Sequence, residues 1–105
     1  MISARFIARC AQAGQIYITR HAAQRMVERR ISTSDLIHAL TTCQVIEQTP
    51  DDDPYPSCLV LGWLESGDPL HIKCSHKANS SVLRIVTVYE PDATRWGRRF
   101  RSRRK

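Results

Sequence analysis

Apolar residues recur at helical spacing through the first third of the chain and at strand spacing through much of the rest. Ile2, Phe6, Ile7 and Cys10 share one side of a helix expected over residues 2–13, which Gly14 closes by taking the left-handed conformation. Gln15 to Ile18 reads as a brief extended link or edge strand. Thr19 then caps a second helix whose packing side is Ala22, Ala23, Met26 and Val27, while His21, Arg25, Glu28 and Arg29 share the opposite arc. Ser32-Thr33-Ser34-Asp35 opens a third helix through a capping box, with Ile31 stapled onto Leu36 and an apolar face of Leu36, Ile37 and Leu40. The two helices meet through a very short turn at Arg30-Ile31.

After Cys43 the period changes. Gln44 to Gln48 reads as a short strand, and Asp51-Asp52-Asp53-Pro54-Tyr55-Pro56 as a solvated loop, because prolines and adjacent aspartates oppose regular structure. Ser57 to Leu64 is apolar at nearly every position and reads as a central strand buried on both faces. Leu70 to Ser75 alternates Leu70, Ile72 and Cys74 against His71, Lys73 and Ser75, and Val82 to Tyr89 is rich in β-branched residues. Strict alternation in that last strand places Val86 and Val88 on the side of Arg84. Helices followed by short-looped strands predict an α+β domain, with the N-terminal helices packed on one face of an antiparallel β-meander.

Composition then divides the chain. The net charge is +6 over 105 residues, but Arg95, Arg98, Arg99, Arg101, Arg103, Arg104 and Lys105 supply seven of the 16 basic side chains. Residues 1–94 hold nine basic against ten acidic residues, so the reading is one domain over 1–94 and a basic tail over 95–105. Trp96 and Phe100 interrupt that tail. Its functional reading is a phosphate grip for nucleic acid, with a salt slope of at most about −5 on single strands. The plainer one is a docking segment for an acidic protein, or a solubilising tail.

Four cysteines would permit two disulfides, but Met1 to Ala13 carries Arg5 and Arg9 and lacks a signal-peptide pattern, and no run approaches the roughly 18 apolar residues of a membrane span. A cytoplasmic protein with reduced, buried thiols is expected. The cysteines form no C-x-x-C pair, and His71 and Cys74 point to opposite faces of a strand, so no metal site is expected. Nucleotide-cradling glycine motifs are absent from the sequence, and no cofactor is expected.

RNA cleavage without metal asks for little: a base for the 2′-hydroxyl proton, cations beside the phosphorane, and an acid for the leaving oxygen. His21, Arg25, Arg29, His71, Lys73, Arg84 and Tyr89 supply every residue type needed. Against this, the arginines of the second helix pair with Glu28 on a plain surface helix, His71 reads as an exposed strand histidine, and Tyr89 as a core aromatic with its hydroxyl at the rim.

Four ordered blocks carry a resemblance: Thr19-Arg20-His21-Ala22 with Arg25-Met26 and Glu28-Arg29, then Asp52 to Gly62, then Pro69-Leu70-His71-Ile72, and Ile85 to Tyr89 with Pro91-Asp92. They resemble the bacterial domain-of-unknown-function family 4258, whose members are similar to RelE- and BrnT-type toxins. That resemblance implies a RelE-like α+β architecture and an endoribonuclease that cleaves messenger RNA, free or on the ribosome. It also implies a cognate antitoxin, in some relatives a small zinc-finger protein. The motif positions carried over as catalytic are His21, Arg25, Arg29, His71 and Tyr89, with Lys73, Arg84 and the basic tail as RNA contacts. Relatives often have glycine where this chain has Arg30, which implies a blunter helix junction here. The competing reading is a non-catalytic module that binds nucleic acid or protein through its tail.

Overall fold

The computed structural model describes residues 1–92, 96, 97, 100 and 101. Three helices lead the chain: α1 (Ala4–Gln12), α2 (Arg20–Glu28) and α3 (Thr33–Thr41). Each starts where a short polar side chain accepts a backbone N–H. Ser3 accepts from Phe6, Thr19 from Ala22, and Ser32 from Asp35, with the Asp35 carboxylate returning the bond to the Ser32 N–H at 2.9 Å. These bonds hold the Asp35 carboxyl below its usual range.

The first two helices end alike. Gly14 takes φ +71, with Gln15 N–H on the Cys10 carbonyl and Gly14 N–H on Ala11. Arg30 takes φ +56, with Ile31 N–H on Met26 and Arg30 N–H on Val27. These are paired C-terminal caps that need a left-handed residue, and an arginine there costs about 1 kcal/mol relative to glycine. The blunter junction expected of Arg30 is therefore not found. The cap bonds and the burial of Ile31 hold the turn sharp despite the residue.

Five strands follow the expected places but not the expected sheet. β1 (Ile16–Ile18), β2 (Gln44–Thr49), β3 (Ser57–Trp63), β4 (Pro69–Ser75) and β5 (Leu83–Tyr89) lie in the order β1-β5-β4-β3-β2. β2 to β5 form the antiparallel meander, while β1 pairs parallel to β5, Ile16 beside Leu83 and Ile18 beside Ile85. The sheet is thus mixed, and β4 rather than β3 is its centre. β3 is nevertheless buried at every position except Trp63.

The helices cover one face. Ile7, Cys10, Ala22, Met26, Leu36, Ala39 and Leu40 pack with Cys58, Val60, Ile72, Cys74, Leu83, Ile85 and Val88 in one core. α3 lies so close to β3 that a Cβ on Gly62 would sit 2.6 Å from the Ala39 carbonyl oxygen, so glycine is required by contact rather than by φ. A bulge on β5 corrects the alternation: Lys73 pairs with Thr87 and Cys74 with Ile85, leaving Val86 unopposed. Val88 consequently points into the helix side, and Arg84, Thr87 and Tyr89 share the other face.

All four cysteines are unpaired, three buried and Cys43 half-buried. Cys74, hydrogen-bonded to Cys58 and fully buried, keeps its proton well above the usual thiol range, and burial pushes Cys43 up to about 11. Among the described residues no helix is long and apolar enough to cross a membrane.

Candidate active site on the open sheet face

Opposite the helices, the strands form a cleft of about 210 Å³ lined by Glu47, Thr49, Ser57, Lys73, Thr87 and Tyr89, with Cys58 and Leu59. The register explains the grouping, since Thr49 pairs with Ser57, Glu47 with Leu59, Leu59 with Lys73 and Lys73 with Thr87 across four strands. At one end stands His71, which pairs with Tyr89 and is wholly buried.

His71 is the largest departure from expectation. Its Nδ1 lies 3.2 Å from the Tyr89 hydroxyl and its Nε2 2.9 Å from the Phe100 carbonyl oxygen, while the Trp96 ring packs edge-on at 4.3 Å. A carbonyl only accepts, so Nε2 carries the hydrogen, and in the neutral ring Nδ1 accepts from the Tyr89 O–H. His71 is not an exposed strand histidine because residues beyond the last strand fold back over it. Trp96, beyond the boundary at 94, is itself 2% exposed.

Lys73 is fixed from the aspartate loop. Its Nζ lies 3.2 Å from Asp52, which also accepts from the Ser57 hydroxyl at 2.6 Å and from the Asp53 N–H at 2.9 Å. Ser57 first and Lys73 second hold the Asp52 carboxyl below the usual range. One member of the expected solvated loop is therefore an anchor.

α2 reaches the cleft by its first turn alone. Thr19 donates its N–H to the Ile85 carbonyl and its hydroxyl to Val86, which seats the helix along β5 where β1 ends. His21 Nε2 then lies 3.0 Å from the Thr87 hydroxyl. Arg25 instead pairs with Glu28 at 3.1 Å across a half-exposed contact worth little, and neither Arg25 nor exposed Arg29 lines the cleft. The helical arc thus splits, with His21 at the site and its arginines beyond it.

Arg84 sits on the other side, 5.3 Å from the Tyr17 ring centre and 5.7 Å from that of Tyr55, in an adjoining cavity that also contains Lys73. Arg101 is exposed. Arg95, Arg98, Arg99, Arg103, Arg104 and Lys105 lie outside the described residues. Among the described residues, no three histidine, cysteine or carboxylate side chains converge on a metal position.

Sequence reasoning missed Glu47, Ser57, Asp52 and Thr87. Each was visible as a polar residue in or beside a strand, but its meaning depends on which strands are neighbours. Residues 18–90 match the family described as a domain of unknown function (DUF4258). The chain belongs to this family. The matched span takes in α2 and β2 to β5, and with them His21, Glu47, Lys73, Thr87 and Tyr89, while Trp96 and Phe100 fall beyond it. The comparisons with curated proteins and with solved structures give no match.

Proposed function

We propose that the chain is a metal-independent endoribonuclease, resembling RelE- and BrnT-type toxins, that cuts messenger RNA on the open face of its sheet. The observation that carries the reading is the Tyr89 hydroxyl, in the cleft with Lys73 and 3.2 Å from the ring of a buried histidine. An RNA 2′-hydroxyl gives its proton to the Tyr89 oxygen as the Tyr89 proton passes to His71 Nδ1, and the imidazolium so formed is held by the Phe100 carbonyl. The 2′-oxygen bonds to phosphorus, the bond to the 5′-oxygen breaks, and a cyclic phosphate remains. Lys73, in the same cleft, steadies the charge of the phosphorane, and His21, at the Thr87 side, protonates the leaving 5′-oxygen. Arg25, Arg29 and the basic tail serve the flanking strand rather than the scissile phosphate.

The toxin reading brings an antitoxin as partner, in the manner of relatives paired with small zinc-finger proteins, and a cytoplasmic setting where messenger RNA is met. Incubating the purified chain with end-labelled single-stranded RNA in a chelator tests the chemistry. Wild type should cut, and Tyr89→Phe should slow cutting about 10²- to 10⁴-fold. Intact RNA with wild type, or unchanged cutting by Tyr89→Phe, overturns the enzyme. RNA bound but uncut, with binding abolished on removing residues 98–105, establishes the binding module instead.

A further inference from the structure

Beside the cleft lies a second cavity of about 130 Å³, and Ser57 and Lys73 line both. Tyr55, Arg84, Asp53 and Val86 form much of the remaining wall. Both tyrosine rings hold the Arg84 guanidinium within the roughly 6 Å over which a ring face attracts a cation. Arg84 is thereby held as a flat, charged plate at the side of the cavity. Tyr17 is 54% exposed and Tyr55 half-buried, so ring surface stays open beside it. Aromatic faces and guanidinium planes are the surfaces on which unpaired bases stack.

Size and polarity narrow the ligand. The cavity is far smaller than the roughly 300–1,000 Å³ that a drug-sized molecule occupies, and suits one planar heterocycle. Its charged side chains divide by sign: Asp52 and Asp53 only accept, whereas Lys73 and Arg84 only donate. Asp52 is already engaged by Ser57, Lys73 and the Asp53 N–H, which leaves Asp53 as the exposed carboxylate of the pair. Guanine matches this division. Adjacent N–H groups on one edge meet a carboxylate, and its O6 and N7 acceptors meet a guanidinium or ammonium. Uracil offers no amine.

We propose that this cavity is a nucleobase subsite that takes guanine from the nucleotide next to the phosphate at Lys73; that the strand is also cut beside this base rests on the ribonuclease reading. The subsite itself is tested without cleavage, by titrating the full chain with guanosine monophosphate, uridine monophosphate and ribose phosphate while following backbone amide NMR shifts. Guanosine monophosphate should bind at least about tenfold more tightly than the other two, with shifts centred on Tyr55, Ser75 and Arg84. Tyr55→Ala should weaken it about tenfold or more. Asp53→Asn, at an exposed position, should remove most of the preference over uridine monophosphate with no change in thermal unfolding. Equal affinity for all three ligands, or shifts elsewhere, overturns the subsite. Equal affinity with RNA still cut overturns the subsite and leaves the ribonuclease standing, whereas selective guanosine monophosphate binding by a chain that cuts no RNA supports the subsite and overturns the ribonuclease.

Discussion

On the helix side of the sheet, Val60, Ile72, Ile85 and Val88 are fully buried in a continuous apolar layer, while on the other side Leu59, Lys73 and Thr87 lie side by side along a polar cleft. The helix side is held by area removed from water, a force without direction that tolerates any side chain of suitable size. The open side is held by directed contacts, Asp52 to Lys73, His21 to Thr87 and Tyr89 to His71, each of which fails if one partner moves. One strand therefore divides its duties by parity: Ile72 packs into the core and Lys73 projects into the cleft. The bulge at Val86 keeps that division in register on β5, where strict alternation would have turned Thr87 and Tyr89 into the core.

Neighbouring substitutions on β4 break the comparison most sharply. Ile72→Ala should lower unfolding stability by about 2–5 kcal/mol in a urea titration, because it leaves a cavity in a wholly buried layer. Lys73→Ala should leave the urea midpoint close to wild type while abolishing the proposed RNA cleavage. If the two variants lose stability alike, the faces are not divided as described.

A smaller effect is expected at the end of α2. Arg30→Gly removes a left-handed strain and should raise stability by about 1 kcal/mol, read as a higher urea midpoint with an unchanged slope. Because Arg30 lies away from the cleft, RNA cleavage should not change. A loss of stability instead would mean that the side chain makes up for its backbone cost.

Acid should bring out the smallest difference. The folded chain holds Asp52 below the ordinary aspartate value of 3.8, so it binds that proton more weakly than the unfolded chain does. The contact adds stability at pH above the ordinary value and gives it up as the pH falls through the lowered one. Thermal unfolding from pH 6 to 3 should therefore show wild type losing stability more steeply than Asp52→Asn below about pH 4. Parallel curves would show that Ser57 and Lys73 do not hold the carboxylate in solution.

Most of the helices and strands were legible because their signals are local. Thr19 and Ser32 cap within three residues of themselves, and Gly14 ends a helix by its own backbone freedom. The candidate site was legible only as a set of residue types. Lys73 and Tyr89 were singled out and line the cleft, and His21 touches its wall through the Thr87 hydroxyl, yet Arg25 and Arg29 from the same helical arc do not line it. Glu47 and Ser57 carried no local sign of their place. A polar residue in a strand has the same appearance whether it faces bulk water or a cleft closed by three other strands.

The order of apolar and polar positions, with the caps, determined by itself that this chain makes three helices and then a meander, and that Leu70, Ile72 and Cys74 share one side of their strand. Those outcomes follow from interactions within a few residues or from a period of two, both of which a sequence displays. Only the tertiary structure decided that β1 joins β5 in parallel, that a bulge at Val86 resets the facing of Val88, and that Trp96 and Phe100 bury His71 against Tyr89. Each joins residues distant along the chain or departs from regular pairing, and neither is written in local preference.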